Sequence, residues 1–142
     1  MSNINDLAAK DFRLNDLPED LKGFKPVLTI DFFNKRKIKK SIPTYLINIL
    51  EKFPEGLLVK ELENKIVSSK DKFILEKKAE IEKKDKAFRE FIKGRITAVV
   101  RYYNAPDVIE SEFNGSRPLI LDKTGEKNKL ILTYKLIPIK SE

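Results

Sequence analysis

The chain reads as a small α+β domain, with three to four helices and a small antiparallel sheet whose hairpin forms a projecting wing. Three observations predict this. Apolar residues recur at helical period over 42–53 and again over 88–103. Strand-favouring runs at 118–121 and 130–136 flank a polar, Gly-containing connector. The chain has 142 residues, of which 41% are hydrophobic, enough for one core.

Taken in order, residues 1–25 are polar with scattered apolar positions and read as a partly flexible segment ahead of a single domain over 26–142. Asp16 and Pro18 can start one helical turn carrying Leu17 and Leu21, ended by Gly23. Pro26 then precedes Val27 to Phe33, read as a strand with Leu28, Ile30 and Phe32 on one face. Ser41 and Pro43 open the clearest helix, whose stripe is Ile42, Tyr45, Leu46, Ile49, Leu50 and Phe53. Pro54-Glu55-Gly56 stops it, and Leu57-Leu58-Val59 makes a very short strand.

Val59, Leu62, Ile66 and Val67 mark a second helix, with Lys60, Glu61, Glu63 and Lys65 outward. Residues 68–86 are dense in Lys and Glu and read as a charged helical insertion capped by Ser68 and Asp71, either separate from the next helix or continuous with it. Over 87–103, Phe88, Ile92, Ile96, Val99, Val100 and Tyr103 fall within about a third of the helical wheel, and Asn104-Ala105-Pro106 ends that helix. The hairpin of the tail follows.

The formal net charge is +7, a balance that favours polyanionic partners. Its distribution is uneven. Residues 35–52 carry Lys35, Arg36, Lys37, Lys39, Lys40 and Lys52 against Glu51 alone. Residues 87–103 carry Arg89, Lys93, Arg95 and Arg101 against Glu90 alone.

Cysteine and histidine are both absent, which excludes disulfides, zinc fingers and thiol or imidazole nucleophiles, and no cofactor is expected. The five glycines stand apart, so no phosphate-cradling loop is encoded. Asp107, Glu110, Glu112 and Asp122 are read as the acidic candidates near one another in sequence for a catalytic metal, and no Glu-x-Lys follows Pro106-Asp107 in the tail to complete a nuclease motif. A non-enzymatic protein is expected. No run of apolar residues is long enough to span a membrane, and no signal pattern opens the chain, so a cytoplasmic protein is the simple reading.

The order of helix, very short strand, helix, long helix and hairpin over Ser41 to Ile137 resembles the winged helix-turn-helix superfamily. The stretch Pro54-Glu55-Gly56-Leu57-Leu58-Val59-Lys60-Glu61-Leu62 carries most of the likeness. The resemblance implies a double-stranded-DNA-binding regulator or accessory factor whose 87–103 helix enters the major groove. One departure is the charged insertion, because the family's turn before the recognition helix is short. An extended helix there could pair with its copy in a homodimer, since Ile74, Ile81 and Phe88 recur every seven residues. The segment 68–86, with its apolar triplet Phe73-Ile74-Leu75, could instead meet a protein partner in a replication, transcription or segregation complex.

If the apolar stripe of 87–103 faces the core, Lys93, Thr97 and Arg101 project together on the opposite side, flanked by Glu90, Gly94 and Ala98. Lys and Arg reach phosphates or guanine edges, and Thr reaches a phosphate or a thymine methyl. Arg89 and Arg95 lie on the flanks, suited to phosphates, and Lys35, Arg36, Lys37, Lys39 and Lys40 suit phosphate anchoring beside the first helix. Gly94 costs about 1 kcal/mol relative to Ala within a helix, which asks for a close neighbour. Tyr102 and Tyr103 could stack on unpaired bases, with Tyr103 the better candidate for the core.

Overall fold

A short strand, β1 (Phe24–Leu28), leads directly into helix α1 (Thr29–Asn34) in the computed structural model, which describes residues 10–18, 23–34, 41–123 and 128–139. The remaining elements are α2 (Ile42–Glu51), β2 (Leu57–Leu58), α3 (Val59–Val67), α4 (Lys72–Lys83), α5 (Phe88–Asn104), α6 (Pro106–Phe113), β3 (Leu119–Asp122), β4 (Lys129–Leu132) and β5 (Tyr134–Pro138). The fold is α+β, with six α-helices among the described residues and two small antiparallel sheets.

Helix α2 starts as its sequence dictates. Ser41 is extended and its hydroxyl accepts from the Thr44 amide at 3.3 Å, while Pro43 sits in the first turn, where a missing N–H costs nothing. The helix buries Ile42, Leu46 and Leu50, and also Ile47, which lies beside the expected stripe. The turn after it depends on Gly56, which has φ of +98°. A Cβ there would sit 2.6 Å from Ile131 Cγ1 and 2.8 Å from the Leu130 carbonyl. That close approach lets β2 join the hairpin, with Leu57 opposite Leu130 and Leu58 opposite Lys129. The three strands lie in the order β2-β4-β3.

Helix α4 is a separate helix. Asp71 caps it by accepting from the Phe73 amide at 2.9 Å, whereas the Ser68 hydroxyl donates back to the Asn64 carbonyl and closes α3. The chain then breaks at Asp85, which has φ of +57°, before α5 begins. Ile74 and Ile81 of α4 and Phe88 of α5 are all buried in the chain's own core, where α4 packs on α5. Of the triplet at 73–75, Ile74 is buried, Phe73 packs against the core and Leu75 is exposed.

Three further elements differ from the sequence reading. The run from Val27 to Phe33 changes from strand to helix at Thr29, because strand pairing with β5 ends at Leu28 opposite Tyr134. Thr29 is then buried, its amide donating to the Thr133 carbonyl and its hydroxyl donating to that of Thr133, whose own hydrogen goes to the Arg117 carbonyl. The helical turn aims Phe32 and Phe33 at Lys135, so packing overrides the β-propensity of the run. Pro106 ends α5 but also opens α6, since proline suits the first helical position.

The run 130–136 does not form one strand. It bends at Thr133, whose amide and hydroxyl bond to the carbonyls of Pro118 and Arg117, and its second half pairs with β1.

Residues 10–18 contain a 3-10 turn, Leu14–Asp16, ahead of the expected helical turn, and Leu21 lies outside the described residues. Phe12 exchanges two backbone hydrogen bonds with Tyr134, and Asp11 pairs with the buried Lys135 at 3.2 Å. The domain's contacts thus extend to the N-terminal side of residue 26, and β1 itself begins at Phe24.

Gly56→Ala is expected to lower stability by about 2 kcal/mol or more, from the left-handed backbone and the collision with Ile131 together. Urea unfolding of the variant measures this, and an unchanged midpoint would refute the close packing of the turn on β4.

Candidate nucleic-acid interface

Helix α5 is the longest helix of the fold and packs against α2, α3, α4, α6 and β3. Phe88, Ile92, Ile96 and Val99 are buried, with Val100 and Tyr103 partly so. The opposite side of the helix is solvent-exposed along its whole length, from Arg89 and Glu90 through Lys93, Gly94, Thr97 and Ala98 to Arg101 and Tyr102. Lys93, Thr97 and Arg101 therefore stand together on an uncovered ridge, as the inward stripe requires.

Their local bonds leave most of their capacity free. Lys93 makes a helix-surface pair with Glu90 at 3.5 Å, an interaction worth about 0–1 kcal/mol and readily exchanged. The Thr97 hydroxyl donates to the Lys93 carbonyl at 3.0 Å, leaving its oxygen lone pairs available. Arg101 has no ion-pair partner among the described residues. Arg95 is exposed, with its guanidinium 5.6 Å from the Phe91 ring.

Arg89 behaves differently. One terminal nitrogen donates to Glu63 Oε1 at 2.6 Å and to Asn64 Oδ1 at 2.7 Å, both on α3. Glu63, expected to point outward, is 6% exposed, because this partner lets its carboxylate leave water. An open cleft of about 900 Å³ lies beside the pair, lined by residues that include Lys60, Asn64, Arg89, Lys93 and Asn128. The Asn128 carbonyl accepts from the Val59 amide at 3.0 Å and so holds the base of the hairpin against the start of α3.

Lys60, Asn64 and Asn128 escaped the sequence reading. Nothing local marks them, since their proximity to α5 arises only from packing. Lys35, Arg36, Lys37, Lys39 and Lys40, and the hairpin tip at 124–127, lie outside the described residues.

At the other end of α5, Tyr102 is exposed and Tyr103 turns toward the core, where its ring lies 5.8 Å from that of Phe113. The Tyr102 hydroxyl donates to Glu112 of α6. That hydrogen bond to a carboxylate, helped by desolvation and the carboxylate's charge, pushes the phenol up to about 12. Helix α6 also exposes Asp107 and Glu110, so an acidic surface adjoins the cationic ridge at this end. Among the described residues, no three acidic side chains gather where they could hold a metal ion.

No family model, curated protein or solved structure matches this chain.

Two outcomes check this geometry. A Cβ at Gly94 would meet no atom within 4 Å, so Gly94→Ala is expected to raise stability by about 1 kcal/mol in urea unfolding. A fall would mean that another part of the chain approaches there. Ultraviolet titration should place one tyrosine near pH 12, and Glu112→Gln should return it toward 10. Folding favours the protonated phenol, so this contribution to stability is present below pH 10 and fades as pH rises to about 12.

Proposed function

We propose that this chain is a non-enzymatic nucleic-acid-binding protein of the winged-helix type, a regulator or accessory factor that engages double-stranded DNA. Helix α5 enters the major groove, and residues 35–40 anchor phosphates. The observation that carries this reading is the exposed ridge of Lys93, Thr97 and Arg101 on a helix whose other side is locked into the core. The strand order β2-β4-β3 around three packed helices supports the architectural part. Gly94 gives further support, because nothing in the described chain accounts for a glycine there, while a nearby DNA backbone would. Among the described residues no helix is long and apolar enough to cross a membrane.

A second reading is a winged-helix module that binds protein within a replication, transcription or segregation complex. One observation favours it: Leu75 is 49% exposed on α4, a helix that packs chiefly on α5 and leaves its charged side open.

Titration of a short duplex at several salt concentrations separates the two. DNA binding predicts a log–log salt slope of about one unit per phosphate contact. Lys93→Ala and Arg101→Ala should each weaken affinity by roughly fivefold to tenfold, the equivalent of one charge-assisted contact. Unchanged affinity in both variants would remove the groove-facing role of this ridge.

A further inference from the structure

The cleft between α3 and α5 contains an arginine whose donors are unequally used. An arginine offers five N–H donors in a rigid plane. In Arg89 one terminal nitrogen spends both of its hydrogens on Glu63 and Asn64. The other terminal nitrogen and Nε have no hydrogen-bond partner among the described residues. The Arg89 side chain is 46% exposed while that of Glu63 is 8% exposed, so the carboxylate grips the guanidinium from the protein side and leaves its remaining edge toward solvent.

Other groups converge on the same cleft from separate elements. Lys60 comes from the first turn of α3, Lys93 from α5 and Asn128 from the base of the hairpin. The positive end of the α3 dipole adds to them. Two carboxylates also line the cleft: Glu63, paired with Arg89, and the exposed Glu61, one oxygen of which accepts from the Leu58 amide at 3.3 Å. Against Glu61, the one carboxylate there without a cationic partner among the described residues, stand three cations and two side-chain amides. An oxyanion with several oxygens suits them, because the free edge of a guanidinium matches two oxygens of a phosphate.

We infer that this cleft is a phosphate site, with Arg89 as the bidentate ligand to the oxyanion and Glu63 and Asn64 as positioning residues that hold the guanidinium ready. This deepens the nucleic-acid reading if the phosphate belongs to a polynucleotide backbone. The same chemistry would also serve a small phosphorylated compound. Preorientation lowers the ordering cost of the contact, which is the physical use of burying a carboxylate behind an exposed arginine.

NMR titration of the full chain with inorganic pyrophosphate, and separately with a short duplex, tests the site and its source of phosphate. Pyrophosphate should perturb the Arg89 Nε–H signal and the side-chain amides of Asn64 and Asn128. Arg89→Lys keeps the ion pair with Glu63 and the charge but removes the planar fork, so it should weaken pyrophosphate binding about tenfold. A thermal melt of that variant confirms folding. Arg101→Ala, outside the cleft, should leave the pyrophosphate response intact.

If the duplex perturbs the same signals, the phosphate is that of a polynucleotide. If pyrophosphate does so and the duplex does not, the site stands and the DNA reading falls. If neither ligand moves the Arg89 signal, or if Arg89→Lys responds like the parent, the site is refuted.

Discussion

Four side chains of α5, namely Phe88, Ile92, Ile96 and Val99, are buried where that helix meets α2, α3, α4 and β3, and their shared direction sets the rotation of the helix about its own axis. Burying each such side chain contributes about 1.5–3 kcal/mol, whereas a surface pair such as Glu90–Lys93 contributes about 1 kcal/mol at most. The apolar stripe therefore decides the orientation, and the charged residues take whatever face remains. A rotation of one residue, 100°, would carry Lys93 from solvent to the flank of the core. The cationic ridge is in this sense a consequence of core packing.

Two buried charges mark the places where distant parts of the chain are joined. Glu63 and Arg89 tie α3 to α5 across 26 residues, and Asp11 and Lys135 tie the N-terminal segment to β5. Lys135 is 1% exposed, and its ammonium lies 5.8 and 5.4 Å from the ring centroids of Phe32 and Phe33, which pack edge-on against each other. An ion taken out of water is costly unless its partners are well placed, so in these pairs losing Arg89 would leave Glu63 as an uncompensated buried charge, and losing Asp11 would take a carboxylate from the buried Lys135. Each also has a local structural effect: the first orients a donor at the cleft, and the second fits the helical turn of α1.

Much of this was legible in the residues, and the remainder follows a pattern. The stripes of α2 and α5, the Ser41 cap and the hairpin were readable, because each rests on spacings within one turn or one pair of strands. The expected Ser68–Asp71 capping pair divides, with Ser68 closing α3 and Asp71 alone capping α4. Residues 27–33 and 106–113 were not readable. Phe32 and Phe33 favour strand by intrinsic preference and become helical to meet Lys135, a residue about a hundred positions away. Pro106 stops one helix and starts the next, two roles that a single sequence does not separate. The seven-residue recurrence of Ile74, Ile81 and Phe88 was visible too, and all three side chains enter the chain's own core.

By itself, the sequence determined which residues of α5 share a face, where most helices begin, and that this helix carries an excess of positive charge. Those properties are local, governed by the helical period, capping chemistry and composition. Only the tertiary structure decided that Glu63 turns inward to hold Arg89, that Lys60, Asn64 and Asn128 border the same cleft, and that acidic α6 bounds the ridge at one end. The reason is that a contact between residues far apart in the chain depends on how several elements pack at once, and no window of neighbouring residues contains that information.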